Sequence, residues 1–338
     1  MDIEYDKALQ SYNTFGIDVS AKYFAEIKSV DDFRSLITDP KFKNEKKLIL
    51  GGGSNILFTK NFDGLVIKNS LPGIEVIKED AYATWIKTAA GEPWHPFVLF
   101  CVDRKFAGIE NLSLIPGQVG AAPMQNIGAY GAEIKDTCED VEAVHIETGE
   151  PVVFKNEDCD FGYRESVFKN KFKDQFLITA VTFKLNKIFK PRISYGDIRH
   201  TLEEMRVQEI TIKAVSDAVI KIRSAKLPDP KVIGNAGSFF KNPVVTKRQF
   251  SALISKYPLM PNYHQRSGEV KIPAGWLIEQ CGWKGKVVGH TGAHKSQSLV
   301  LVNYGSATGE EIYNLALEIQ KSVLEKFGIE ILMEVNLV

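Results

Sequence analysis

The stretch "GNAGSFFKNP" (234–243) sets one hydroxyl, Ser238, between loose glycine backbone and two phenylalanines. Ser238 is either a turn residue or a hydroxyl that glycine neighbours allow to approach a ligand and deliver a proton. Two further stretches offer ligand chemistry through the backbone. "LILGGGSN" (48–55) ends an apolar run in Gly51, Gly52 and Gly53, then Ser54 and Asn55. Successive glycines let N–H groups turn toward one point, which suits a diphosphate, although a tight turn uses the same residues. The spacing is neither GxGxxG nor Walker A. More strand, not a crossover helix, follows it, so neither nucleotide-loop assignment applies.

"IPGQVGAAPMQNIGAYG" (115–131) is longer. Gly117, Gly120 and Gly128 stand among Ala121, Ala122 and Ala129, leaving room for a flat ligand or its phosphates on the backbone. Gln125 and Asn126 supply amide donors and acceptors for a heterocycle edge. An irregular loop packed on a sheet is the plainer alternative. Two such loops in one half of a chain favour a large dinucleotide over a mononucleotide. Arg164, in "FGYRES", suits a carboxylate in two-pronged fashion. Its bland alternative is an exposed ion pair worth under ~1 kcal/mol. In "EILMEVNLV" (330–338), alternation puts Ile331, Met333, Val335 and Leu337 on one face. Glu330, Leu332, Glu334 and Asn336 share the other, and alternation does not choose between the two glutamates. His290 and His294 in "HTGAH" have no third ligand nearby, so no metal is expected.

These residues need elements to hold them. Helical spacing covers "DDFRSLITDP" (31–40, an Asp at its cap), "HPFVLFCVDRKFAG" (95–108), "TIKAVSDAVIKIRSAK" (211–226, a Thr cap) and "GEEIYNLALEIQKSVLEKFG" (309–328). Strands are expected in "KKLIL", "DGLVIKNS", "GIEVIKED", "YATWIKTAA", "VEAVHIET", "PVVFK" and "QFLITAVTFKL". The 338 residues are enough for two or three domains, with soft boundaries near 70 and 208. Lys+Arg and Asp+Glu are both 42, and this zero balance weakens any nucleic-acid partner. The four cysteines lack a Cys-x-x-Cys spacing, no run nears the ~20 apolar residues of a membrane span, and "MDIEYDKALQ" is no signal peptide. A cytoplasmic protein without a membrane partner is expected.

Seven blocks together carry a resemblance: "NTFGID" (13–18), "GGGSN" (51–55), "IPGQVGAAPMQNIGAYG" (115–131), "FGYRES" (161–166), "LPDPKVIGNAGSFFKNP" (227–243), "AGWLIEQCG" (274–282) and "MEV" (333–335). In order and over nearly the whole chain, the sequence resembles the UDP-N-acetylenolpyruvoylglucosamine reductases. The resemblance implies an α+β protein with an FAD-binding fold of the vanillyl-alcohol-oxidase type. Residues 1–70, joined by a returning strand 330–338, and residues 71–207 would be its two flavin subdomains. Residues 208–329 would form an α/β substrate-binding domain. It implies FAD and NADPH as cofactors, flavin contacts along both glycine loops (Ile115, Pro116 and Tyr130 included), and a small sugar-nucleotide substrate, with no oligomer required.

The implied substrate is an enol ether bearing a carboxylate. Hydride addition to its vinyl carbon drives charge onto the α-carbon and carboxylate, which a guanidinium, a protonated carboxyl and a proton donor must relieve. The resemblance gives these roles to Arg164, Glu334 and Ser238; beside Ser238, the rings of Phe239 and Phe240 are expected to exclude competing water. It gives substrate contacts to Lys226, Asn242 and Gln297, and to Tyr195 on a closing loop. Ala121 and Ala122 stand where some relatives have serines, and Asn336 where some have a basic residue. Two alternatives stay open: another FAD-dependent oxidoreductase of the same fold, and a non-redox sugar-nucleotide binder.

Overall fold

Capping chemistry sets several helix boundaries before any packing. The computed structural model describes residues 1–265 and 267–338. Ser29, not an aspartate, caps the Val30–Thr38 helix: its hydroxyl accepts from Asp32 N at 3.0 Å, and the Asp32 carboxylate accepts from Ser29 N at 3.0 Å. Thr211 opens the Ile212–Lys226 helix, its hydroxyl accepting from Ala214 N at 3.1 Å. Thr308 and Glu311 form a reciprocal box at the start of the Gly309–Phe327 helix, and Gly328, at φ 64°, ends it.

The chain divides into two compact units. The first comprises residues 1–7, 21–52 and 62–225; the second comprises 8–20, 53–61 and 226–338. In the first, Ser20–Ile27 and Lys47–Leu50 flank Phe62–Asn69 in parallel, and Ile3–Ala8 adds an outer strand. A five-stranded antiparallel sheet follows, ordered Pro151–Lys155, Cys138–His145, Phe176–Asn186, Ala83–Ala89, Ile74–Glu79. Buried side chains from both sheets meet: Ile27, Phe33, Leu65 and Ile67 pack with Val144 and Leu177. On the antiparallel sheet lies the Trp94–Asp103 helix, whose Trp94 and Phe97 rings pack on Phe183. Each such buried ring contributes about 1.5–3 kcal/mol, and Trp94 Nε1 donates to Leu112 O at 2.9 Å, anchoring the start of the long glycine-rich loop.

In the second unit, Gly234–Ser238 edges an antiparallel sheet with Val300–Asn303, Thr291–Ala293 and Val287–Val288. The expected alternating strand over 330–338 is not continuous. Only Asn336–Leu337 is strand, pairing in parallel with Ile56–Leu57. Alternation also fails on burial at two positions: Glu334, on the face expected to be open, is buried, while Leu337, on the face expected to be core, is exposed. The chain bends from a bridge at Phe240–Met333 to the pairing at Asn336, so its faces do not keep a two-residue period. Among the described residues, no helix is long and apolar enough to cross a membrane.

Candidate active site

Within the first unit the two glycine loops meet backbone to backbone. A Cβ on Gly52 would lie 2.9 Å from Gly117 Cα, closer than real side chains come, so only glycine permits the approach. Between residues 48 and 60, and between 111 and 132, there is no Asp or Glu. The cations Arg164 and Arg223 belong to the same unit. An anionic dinucleotide would therefore meet backbone amides and positive charge without a carboxylate from either loop. The donor set fits FAD, which Gly51, Gly52 and the 115–130 segment would hold from this unit.

The long loop is folded more tightly than its composition requires. Val119–Ala121 and Pro123–Gln125 are single 3₁₀ turns, and Gly128–Ala129 pairs with Ala132–Glu133. Ala121 is exposed, whereas Ala122 is buried in the core. Asn126 departs from its expected role at a heterocycle edge. It is fully buried at φ 45°, its Nδ2 donates to Gly162 O at 2.9 Å and Glu133 Oε2 at 3.2 Å, and its Oδ1 accepts from Lys135 N at 3.0 Å. Ser166 Oγ donates to Met124 O at 2.6 Å. Asn126 and Ser166 thus tie the loop to the 162–166 turn that carries Arg164.

Arg164 is half-buried with φ 57°, a left-handed backbone that costs a non-glycine residue about 1 kcal/mol or more and clusters at functional sites. Its Nη2 donates to Gly128 O at 2.6 Å. Tyr195, 43% exposed, lies over the same segment: its Cβ is 3.4 Å from where Gly131 would carry one, and the Tyr130 ring lies 3.5 Å from the same point on Gly196. The first unit thus gathers Gly128, Tyr130, Arg164 and Tyr195.

Arg223 was missed from the sequence, where it reads as an ordinary cation of a helix. Burial lowers its pKa; Tyr130 opposes that shift and Arg164 adds to it. Its Nε donates to Leu114 O at 3.2 Å, while His95 Nδ1 accepts from Leu114 N at 3.0 Å. Arg223 and Arg164 are thus near enough for one guanidinium to act on the other.

The second unit gathers the other candidates. Ser238 is exposed at the end of its strand, after Gly237 at φ 69°. Phe239 and Phe240 do not shield it; both are core residues, Phe239 meeting the Phe15 ring edge-on at 6.2 Å. The next residues pair with the chain's end: Glu334 N donates to Phe239 O and Lys241 N to Leu332 O, each at 2.8 Å. Glu334 thereby lies on the segment beside Ser238, nearly a hundred residues away in sequence. Asn55 reaches the same segment, its Nδ2 donating to Glu334 O at 3.3 Å, and Asn336 N donates to Asn55 O at 3.1 Å. Gly53 N-terminal to it packs on Tyr12 O and bonds Thr14, so "GGGSN" and "NTFG" interlock.

Asn242 and Gln297 meet at one helix start. Asn242 Oδ1 accepts from Ala274 N at 2.9 Å, and Gln297 Oε1 lies 3.2 Å from the position of a Gly275 Cβ. Lys226 is exposed at the end of its helix. His290 Nδ1 bonds Ser306 Oγ at 3.1 Å, and no His/Cys/Asp/Glu group among the described residues could hold a metal ion.

Comparison with known proteins accords with this geometry. Residues 21–155 match the FAD binding domain, and residues 229–338 match the UDP-N-acetylenolpyruvoylglucosamine reductase C-terminal domain. The chain is 54% identical to the UDP-N-acetylenolpyruvoylglucosamine reductase of Flavobacterium johnsoniae and 48% identical to that of Amoebophilus asiaticus, covering 100% of both chains in each case. The crystal structure of the Thermus caldophilus enzyme of that name superposes with a TM-score of 0.68 at 24% identity, covering 100% of this chain and 99% of that one, and so shares the fold. Matching cofactor and C-terminal domains, with near-half identity end to end, show that the chain belongs to the UDP-N-acetylenolpyruvoylglucosamine reductase family.

Proposed function

We infer that this protein reduces UDP-N-acetyl-3-O-(1-carboxyvinyl)glucosamine to UDP-N-acetylmuramate for peptidoglycan precursor synthesis, with NADPH as electron source. Residues 1–70 and 71–207 serve the cofactor and 208–329 the sugar nucleotide. FAD, when bound, supplies hydride chemistry at the vinyl carbon. The residues of this chain manage the charge and the proton. Arg164 presents a planar, cationic fork to the substrate carboxylate. Glu334, in protonated form, braces that carboxylate. Ser238 Oγ gives its proton to the α-carbon, completing addition of H⁻ and H⁺ across the double bond. Lys226 neutralises diphosphate charge, Asn242 and Gln297 hold the sugar nucleotide, and Tyr195 closes over it.

One observation carries this reading: the 2.8 Å bond from Glu334 N to Phe239 O, which sets the proton donor's strand against the carboxyl's segment. The half-reactions separate the roles. Without oxygen, NADPH should bleach the flavin and substrate should restore its colour. Ser238→Ala should leave bleaching within about threefold and slow recolouring by about 10³-fold, the scale of lost acid catalysis. Equal slowing of both steps would overturn the assignment.

A further inference from the structure

One half-buried cation in the first unit has no part in the reaction above. Lys68 lies near the C-terminal end of Phe62–Asn69, a strand whose Leu65, Val66 and Ile67 are fully buried. Its register partners are Glu26 and Leu50, the residue before the glycine loop. Ligands of parallel sheets gather at this carboxyl end of the strands. Lys68 Nζ donates to Asn69 O at 3.1 Å and to Gln118 Oε1 at 3.3 Å. Gln118 Nε2 donates to Gly91 O at 2.7 Å, which fixes the orientation of its amide. The missing Cβ of Gly51 would fall 3.1 Å from that same Oε1. One side chain of the long loop is therefore bonded to two segments, the strand through Lys68 and the turn at Gly91, and lies close against a third, the first glycine of "GGGSN", where only a missing side chain leaves it room.

We propose that the Lys68–Gln118 pair is a positioning brace that holds the two glycine loops in the spacing FAD requires. An apolar residue would suit this strand with less desolvation; burial lowers the Lys68 pKa, against the attraction of Glu26. The cation is useful where it is because it fixes Gln118, whose Oε1 fills the space that a side chain at Gly51 would need. The inference rests on the flavin site described above. Loss of FAD binding by the unaltered protein would sink that site, whereas the variants below test the brace alone.

FAD titration of the apoprotein, read by quenching of flavin fluorescence, decides it. Lys68→Met and Gln118→Leu should each raise the FAD Kd about tenfold, and the double variant should stay well short of a hundredfold, because both break one linkage. Lys68→Gln, which keeps a donor for Gln118 Oε1, should regain most of the affinity. Apoprotein melting temperatures should stay within about 3 °C throughout. A Kd within twofold of the unaltered protein, an additive hundredfold loss, or a loss that only tracks melting temperature would each overturn the brace. Gln118→Leu, a loop substitution, decides the matter if Lys68→Met fails to fold.

Discussion

Asn126→Ala tests how Arg164 is held. Three side-chain hydrogen bonds disappear, to Gly162 O, Glu133 Oε2 and Lys135 N, in a residue with no exposed surface. At about 1 kcal/mol each these total about 3 kcal/mol. Alanine also adopts the φ of 45° less readily than asparagine, adding about 1 kcal/mol. A loss of about 4 kcal/mol corresponds to a melting temperature lowered by about 8 °C, measured by circular dichroism. Turnover should fall further than unfolding explains when assayed 20 °C below the melting point, since Gly162 no longer anchors the Arg164 turn. Asn126→Asp keeps the acceptor for Lys135 N and tolerates the left-handed backbone, but turns an anion toward Gly162 O and Glu133. Its deficit should shrink as pH falls and the new carboxyl regains a proton. A melting temperature for Asn126→Ala within 2 °C of the unaltered protein would refute the assignment of Asn126 as the brace of this turn.

Two further outcomes are expected. Glu110 is 3% exposed, and burial raises its pKa against the opposing 2.7 Å bond from Gly108 N. A raised folded-state pKa gives stability that is present below the ordinary glutamate range and lost as pH rises through the raised value. Glu110→Gln, neutral and still an acceptor for Gly108 N, should therefore raise the melting temperature by about 2 °C at pH 8 and hardly at pH 4; no gain at pH 8 would contradict it. Gly52→Ala puts a methyl 2.9 Å from Gly117 Cα, and backbone cannot yield as a flexible side chain does. FAD affinity should drop at least tenfold by fluorescence titration, and an unchanged Kd would show that the loops are not in register contact.

Much of the local structure was legible because its causes are local. Threonine followed three residues on by glutamate marks the helix after Thr308, and Gly328 ends it wherever the rest of the chain goes. The paired strands from 74 to 89 and from 138 to 155 follow from β-branched runs broken by turn residues. The seven blocks marked the flavin family for a related reason: close backbone approaches such as Gly52 on Gly117 tolerate no side chain, so they leave glycines in the sequence.

Side-chain roles were less legible. Asn126 has the composition of a ligand contact, yet it is consumed by bonds to residues seven, nine and thirty-six positions away. Arg223 and Lys68 read as a helix cation and a strand cation, and only packing reveals how little solvent surrounds them. Strand alternation predicted one continuous C-terminal strand, whereas bonds to Phe239 and Asn55 bend it and bury Glu334.

The sequence by itself determined most of the longer elements, the glycine-rich loops and the family, since each depends on residue types over a few neighbouring positions. Tertiary structure alone decided which polar groups remain available to a ligand. Nearly all buried donors and acceptors find a partner, and for groups such as those of Asn126 the partners include residues far along the chain.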